Sequence, residues 1–197
     1  MNSDLTSALR PAIVMTILFA VLLGIGYPLA LTGIGQIAFP AQANGSLVTD
    51  AGGRVTGSAL LAQGFAAPRY FHPRPSAAGK GYDALASGGS NLGPASQALS
   101  DRVKADVAAQ RKAGVTGALP ADLVTTSGSG LDPDLSPAAA LTQVDRVAAA
   151  RGVPAATVRA LVERATQAPL LGLVGEPHVN VLLLNRQLDR LAAGAVR

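Results

Sequence analysis

The sequence predicts an α+β protein: one N-terminal transmembrane helix followed by a single soluble extracytoplasmic domain. Three observations support that class. They are an uncharged apolar run near the amino terminus, a turn-rich tetrad between two short β-like runs, and a C-terminal half whose apolar residues recur at helical spacing. No side chain between Arg10 and Asp50 is charged, and residues 11–31 read PAIVMTILFAVLLGIGYPLAL. About 20 such residues cross a ~30 Å hydrocarbon core as a helix. No later stretch comes close. The expected organisation is an N-terminal segment over 1–35, with the span at about 11–31, and a soluble domain over 40–197.

A cleaved signal peptide is the rival reading, since Ala41-Gln42-Ala43 resembles a small-residue cleavage site. The apolar run is longer than the ~7–15 residues of a signal core, and the candidate site lies well beyond its end, which favours an uncleaved anchor. Arg10 abuts the amino-terminal side, and no base follows until Arg54. Basic residues mark the cytoplasmic flank, so the amino terminus is expected in the cytoplasm and the body outside. One helix cannot form a transport path alone. Any transport role has to be shared with other subunits.

After the span, about 160 residues remain, enough for one domain with its own core. The chain has no cysteine, which excludes disulfides and thiolate metal sites. Asp4 and Arg10 cancel, so the net charge of +4 falls on the soluble part. Its bases are scattered among acids, unlike the dense stripe of a nucleic-acid binder, and no nucleic-acid partner is expected. Phe65, Tyr70, Phe71 and Tyr82 fall close together, which points to a local core or a contact surface.

The elements follow in order. Val48 and Val55 flank Asp50-Ala51-Gly52-Gly53, a hairpin signature. Residues 64–93 are rich in Gly, Pro and Ser without helical period, but their aromatics argue for order. Pro94 to Lys112 places Leu99, Val103 and Val107 on one helical face, with Gly114 to end it. Ser136-Pro137 supplies an N-cap and first-turn proline for a helix reaching Arg151 before Gly152. Pro154 opens a third helix with Val158, Leu161, Val162 and Ala165 inward. Pro177 precedes a fourth, built on Val181, Leu184, Leu188 and Leu191.

Side chains that carry chemistry are few. His72 and His178 lack the i, i+4 spacing of a helical metal pair, and no metal site is expected. Ser129, Asp132 and His178 follow the chain order of a hydrolase triad, but without the Gly-x-Ser-x-Gly elbow. A membrane-anchored hydrolase using Ser129 and His178, or a solute-binding domain, is the alternative function. No catalytic residue is assigned. Asp132-Pro133-Asp134 lacks the further oxygens of a cation loop and reads as a turn before a helix. Ser87-Gly88-Gly89-Ser90-Asn91 admits two readings. Its backbone N–H groups could face one concavity and cradle phosphate, with Arg69, Arg74 or Lys80 as counter-charge, or it is a sharp turn. It also resembles the Ser-Gly-Gly core of the ABC-ATPase signature loop, with Ser90 where glutamine is usual.

Residues 122–137, DLVTTSGSGLDPDLSP, are too idiosyncratic for a generic turn. They resemble a motif of the C subunit of Kdp-type potassium-transporting ATPases. Tyr27-Pro28, FPAQANGS at 39–46, RYFHPRPS at 69–76, SGGSNLGP at 87–94, RVAAAR at 146–151, GEPHVNVL at 175–182 and Leu184-Asn185 fit the same family, in order, over nearly the whole chain.

That resemblance implies an accessory subunit of an ATP-driven, high-affinity potassium uptake complex. Its partners would be a channel-like potassium-binding subunit, a P-type ATPase subunit and the lipid bilayer. The role it implies is a catalytic chaperone that raises the ATP affinity of the ATPase subunit. Potassium would be the transported ion, and ATP the cofactor through the complex, with the family's nucleotide role linked to Ser87–Asn91. A body outside the membrane cannot meet cytoplasmic ATP, so the ATP effect is expected to be indirect. Gly24, Gly26, Gly33 and Gly35 leave little bulk on the outer half of the span and are expected to pack another helix.

Overall fold

The computed structural model describes residues 2–169 and 171–194. The chain divides into two compact units, Met1–Thr56 and Gly57–Arg197. In the first unit, α1 (Asn2–Val21) runs through a π turn at Leu22–Gly26 into α2 (Tyr27–Ala38). Pro28 has no N–H and its ring crowds the carbonyl one turn back. The helix widens just before it, and Tyr27 N–H donates to Leu22 O. Thr6–Ala38 forms one continuous apolar helix long enough to span a membrane, with none of its most apolar window buried by the chain. The apolar helix read at 11–31 is therefore present and extends further at both ends.

Phe39 leaves helical geometry, and Pro40 starts the single turn α3 (Pro40–Ala43). The side-chain amides of Asn44 and Gln36 meet across it at 3.0 Å. β1 (Leu47–Thr49) and β2 (Val55–Ser58) then pair around the tetrad that marked the hairpin. Asp50 organises that turn, its Oδ1 accepting from the N–H groups of Gly52 and Arg54, each at 2.9 Å.

In the second unit, residues 59–96 run without helix or strand, and α4 (Gln97–Lys112) follows. α4 begins three residues later than its proline predicts, and Val103 and Val107 lean on the core without being fully buried. A short 3₁₀ turn (Ala121–Leu123) leads to β3 (Asp134–Leu135). Ser136 caps the next helix as expected, its Oγ accepting from Ala139 N at 3.1 Å.

The single helix expected over 137–151 is broken at Gln143 into α5 (Pro137–Thr142) and α6 (Val144–Arg151). α6 ends on Gly152, whose φ of 66° is the left-handed conformation a helix stop requires. α7 (Ala155–Ala165) buries Val158, Leu161 and Val162 and is the hub of the unit, packing on α5, α6, α8 (Val181–Gly194) and β4 (Val179–Asn180). β4 pairs antiparallel with β3, in the register Asp134–Asn180 and Leu135–Val179. Phe71, from the irregular segment, is fully buried in this core. The ordered reading of that segment rests on it.

Candidate functional site

Prolines at 68, 73 and 75 keep residues 67–76 from joining a sheet, so their buried backbone groups need other partners. Side-chain amides from the helices supply them. Asn185 on α8 accepts from Phe71 N at 2.8 Å and donates to Phe71 O at 3.0 Å. Gln143, between α5 and α6, does the same for His72 at 2.8 and 3.0 Å. That inward amide coincides with the break in the predicted helix. Arg146 donates to Pro68 O and Tyr70 O at 2.6 and 3.0 Å, and Arg151 to Arg69 O at 2.7 Å. Burial, helped by the Arg146 charge, holds the His72 imidazole below its usual pKa of 6.5.

Beyond His72 the segment meets the other two idiosyncratic loops. Arg74 pairs with Asp132 at 3.0 Å and reaches Thr125 Oγ1 and Thr126 O at 3.4 Å. Ser76 Oγ donates to Gly130 O at 2.6 Å while accepting from Ala78 N and Tyr82 N. Tyr82 OH donates to Arg74 O at 2.8 Å, and burial pushes that phenol's pKa up. Gly130 is the keystone, with φ of 66°. A Cβ there would sit 2.6 Å from Ala78 N and 2.7 Å from Gly88 O.

The Ser87–Asn91 loop closes on the same junction. Ser87 Oγ and Gly88 N both donate to Ser129 O, at 3.0 and 2.8 Å, and Gly89 lies against Gly128. One N–H of the expected cradle is thus committed to the protein. Among the described residues, the N–H groups of Gly89 and Ser90 meet no protein acceptor. Of the three basic candidates, Arg74 is paired with Asp132 and Arg69 with Asp189, while Lys80 is exposed.

The remaining sequence candidates lie apart. No hydrogen bond joins Ser129 to His178 among the described residues. Ser129 Oγ accepts from Leu131 N, and His178 Nδ1 faces Glu176 O at 2.9 Å. Its Nε2 lies 3.9 Å from Asp134, whose carboxyl pKa is raised by burial against the opposing pull of His178. Among the described residues no three metal-ligating side chains cluster. In the apolar N-terminal helix, a Cβ at Gly24 or Gly33 would meet nothing within 4 Å, and one at Gly26 only Val21 O at 3.8 Å. These glycines therefore answer no packing need inside the chain.

Gln143 and Asp189 went unnoticed in the sequence, and Asn185 entered only as part of the Leu184-Asn185 pair of the resemblance. One signal was present: Asn185 falls on the apolar face of α8, where a polar residue needs a buried partner.

The family model described as "KdpC: K+-transporting ATPase, c chain" matches residues 9–190. The potassium-transporting ATPase KdpC subunit of Caulobacter vibrioides (strain NA1000 / CB15N) is 62% identical over 183 residues, 93% of each chain. That of Gemmatimonas aurantiaca is 58% identical over 187 residues, 94% of each. That of Rhodopseudomonas palustris is 51% identical over 195 residues, 93% of this chain and 96% of its own. A match of this extent, through the loops that interlock at Gly130 and the amide clamp at Asn185, means that the chain belongs to the KdpC family of K+-transporting ATPase c chains.

Proposed function

We propose that this chain is the non-catalytic accessory subunit of an ATP-driven, high-affinity potassium uptake complex, holding the assembly together and raising the ATP affinity of its ATPase subunit. The observation that carries the reading is the helix over 6–38, uncharged after Arg10, whose most apolar window is unburied by its own chain. It anchors the protein in the inner membrane and offers Gly24, Gly26 and Gly33 for close packing against a helix of a partner subunit. Arg10 keeps the amino terminus in the cytoplasm. The second unit then lies outside, beside the channel-like subunit that takes up potassium.

ATP acts through the complex in this scheme. Gly88 N–H and Ser87 Oγ are spent on Ser129 O, and Arg74 on Asp132, so the Ser87–Asn91 loop is poorly equipped to hold a triphosphate. Pull-down from solubilised membranes at native expression should recover a P-type ATPase and a multi-span partner, and the KM for ATP of the recovered complex should rise when this chain is omitted. Recovery of the chain alone refutes the reading. Titrating the full chain with ATP, GTP and pyrophosphate checks the loop. Binding is expected to be weak, non-selective and lost at high salt. Salt-resistant, adenine-selective binding abolished by Gly89→Val would restore a direct nucleotide role.

A further inference from the structure

A cavity of about 600 Å³ lies between the end of α6, the start of α7 and the outer part of α8. That volume falls in the range of small-molecule sites, roughly 300–1,000 Å³. Its walls are mainly aliphatic, with Val153, Val158, Leu188 and Leu191 contributing, and Thr157 is the one hydroxyl among the lining residues. Two guanidinium groups, Arg69 and Arg151, also line it.

Arg151 is built into the wall. Its side chain is only 6% exposed, Nη2 pairs with Asp189 at 2.9 Å, and the guanidinium lies 5.1 Å from the Tyr70 ring centre. Its Nη1 is buried and has no acceptor among the described residues. Arg69 approaches the same carboxylate oxygen at 3.3 Å, and its side chain is 52% exposed. Two cations thus share one carboxylate, which leaves a positive charge in excess beside an apolar hollow. Fixing an under-satisfied guanidinium in such a wall is costly, and a bound anion would offset that cost. A neutral apolar ligand would not need the arginines. A nucleoside would need polar partners that the aliphatic walls do not supply.

We infer that this cavity binds an anionic amphiphile, an aliphatic chain lying along Val153, Val158, Leu188 and Leu191 with its carboxylate or phosphate head group on Arg69. The buried charge of Arg151 stands behind the head group and adds to its attraction without touching it. Such ligands have two sources, free fatty acids and the head groups of single-chain phospholipids.

The test is methyl NMR of the full chain in nanodiscs, titrated separately with octanoate, octyl phosphate and 1-octanol. Saturable shifts are expected at the Val153, Val158, Leu188 and Leu191 methyls with at least one anion, and at least tenfold weaker binding of 1-octanol. Arg69→Gln should weaken anion binding at least tenfold and leave 1-octanol unchanged. The fold should survive this change, because the Arg69 carbonyl rather than its guanidinium holds Arg151. Thr157→Trp should fill the cavity and abolish binding of all three. Binding of octanoate alone assigns the fatty-acid source, and binding of octyl phosphate alone the phospholipid source; either supports the site. Equal affinity for octanoate and 1-octanol, no saturable shift, or anion binding indifferent to Arg69→Gln or Thr157→Trp overturns it.

Discussion

Replacing Asn185 by alanine removes the one side chain that satisfies both backbone groups of Phe71, and the energetic consequence follows from the geometry. Asn185 is 1% exposed, and the two bonds are 2.8 and 3.0 Å long. Phe71 is itself fully buried, and the contraction to alanine leaves no partner for its N–H and C=O. An orphaned buried group costs about 1–3 kcal/mol, so the pair should cost roughly 2–6 kcal/mol. That is a large share of the ~5–15 kcal/mol of a typical domain.

Asn185→Asp should fare no better. One carboxylate oxygen can still accept from Phe71 N–H, but the other then faces Phe71 O without a proton between them, and a charge is buried. Arg190→Ala, at an exposed position on the same helix, should stay within about 0.5 kcal/mol of wild type. The assay is urea unfolding of the full chain followed by tyrosine circular dichroism, with hydrogen exchange read at the Phe71 amide. A loss below about 0.5 kcal/mol for Asn185→Ala, or an unchanged exchange rate at Phe71, would refute the idea that the amide holds this segment in place.

Three further outcomes are expected. His72 is held neutral by burial and the Arg146 charge, so its folded pKa lies below the unfolded 6.5. Its contribution to stability is therefore complete above pH 6.5 and is lost as pH falls from there through the folded pKa; unfolding curves with and without His72→Gln, together with imidazole NMR titration, check the sign. Gly130→Ala puts a methyl against Ala78 N and Gly88 O in a left-handed backbone, which should destabilise the second unit by about 2–4 kcal/mol in the same urea assay. Gly24→Leu adds bulk where the chain itself offers no contact, so the isolated protein should fold normally while co-purification with the other pump subunits falls. Undiminished recovery would move the decisive contacts off the helix.

What was legible in the sequence divides along a physical line. The apolar N-terminal helix, the hairpin turn, the Ser136 cap, the Gly152 stop, the inner face of α7 and that of α8 as far as Leu188 all depend on residues within a few positions of one another, where period and turn chemistry operate, although Leu191, on the same period, is exposed. The polar interior does not. Gln143 reads as one more residue of a helix from 137 to 151, because its partner, His72, is 71 residues away. Asn185 and Phe71 are 114 residues apart.

The same distance explains the candidate site. Three short motifs looked like separate signals, one of them for phosphate. In the fold, Arg74 pairs with Asp132, Ser87 and Gly88 both donate to Ser129 O, and Gly130 packs closely on Ala78 and Gly88. A glycine-rich loop announces close backbone approach, but the sequence alone does not say whether the approaching group is a ligand or another loop of the chain. Here Gly128 O stands 3.1 Å from where a Cβ of Gly89 would be, so protein fills the space that this residue keeps clear. The glycines at 89 and 130 are then explained together as one loop-to-loop contact, whereas a Cβ at Gly88 or Gly128 would meet nothing within 4 Å. That contact holds the loop over 87–91 against residues 127–130, and a side chain at Gly89 would press on Gly128 O.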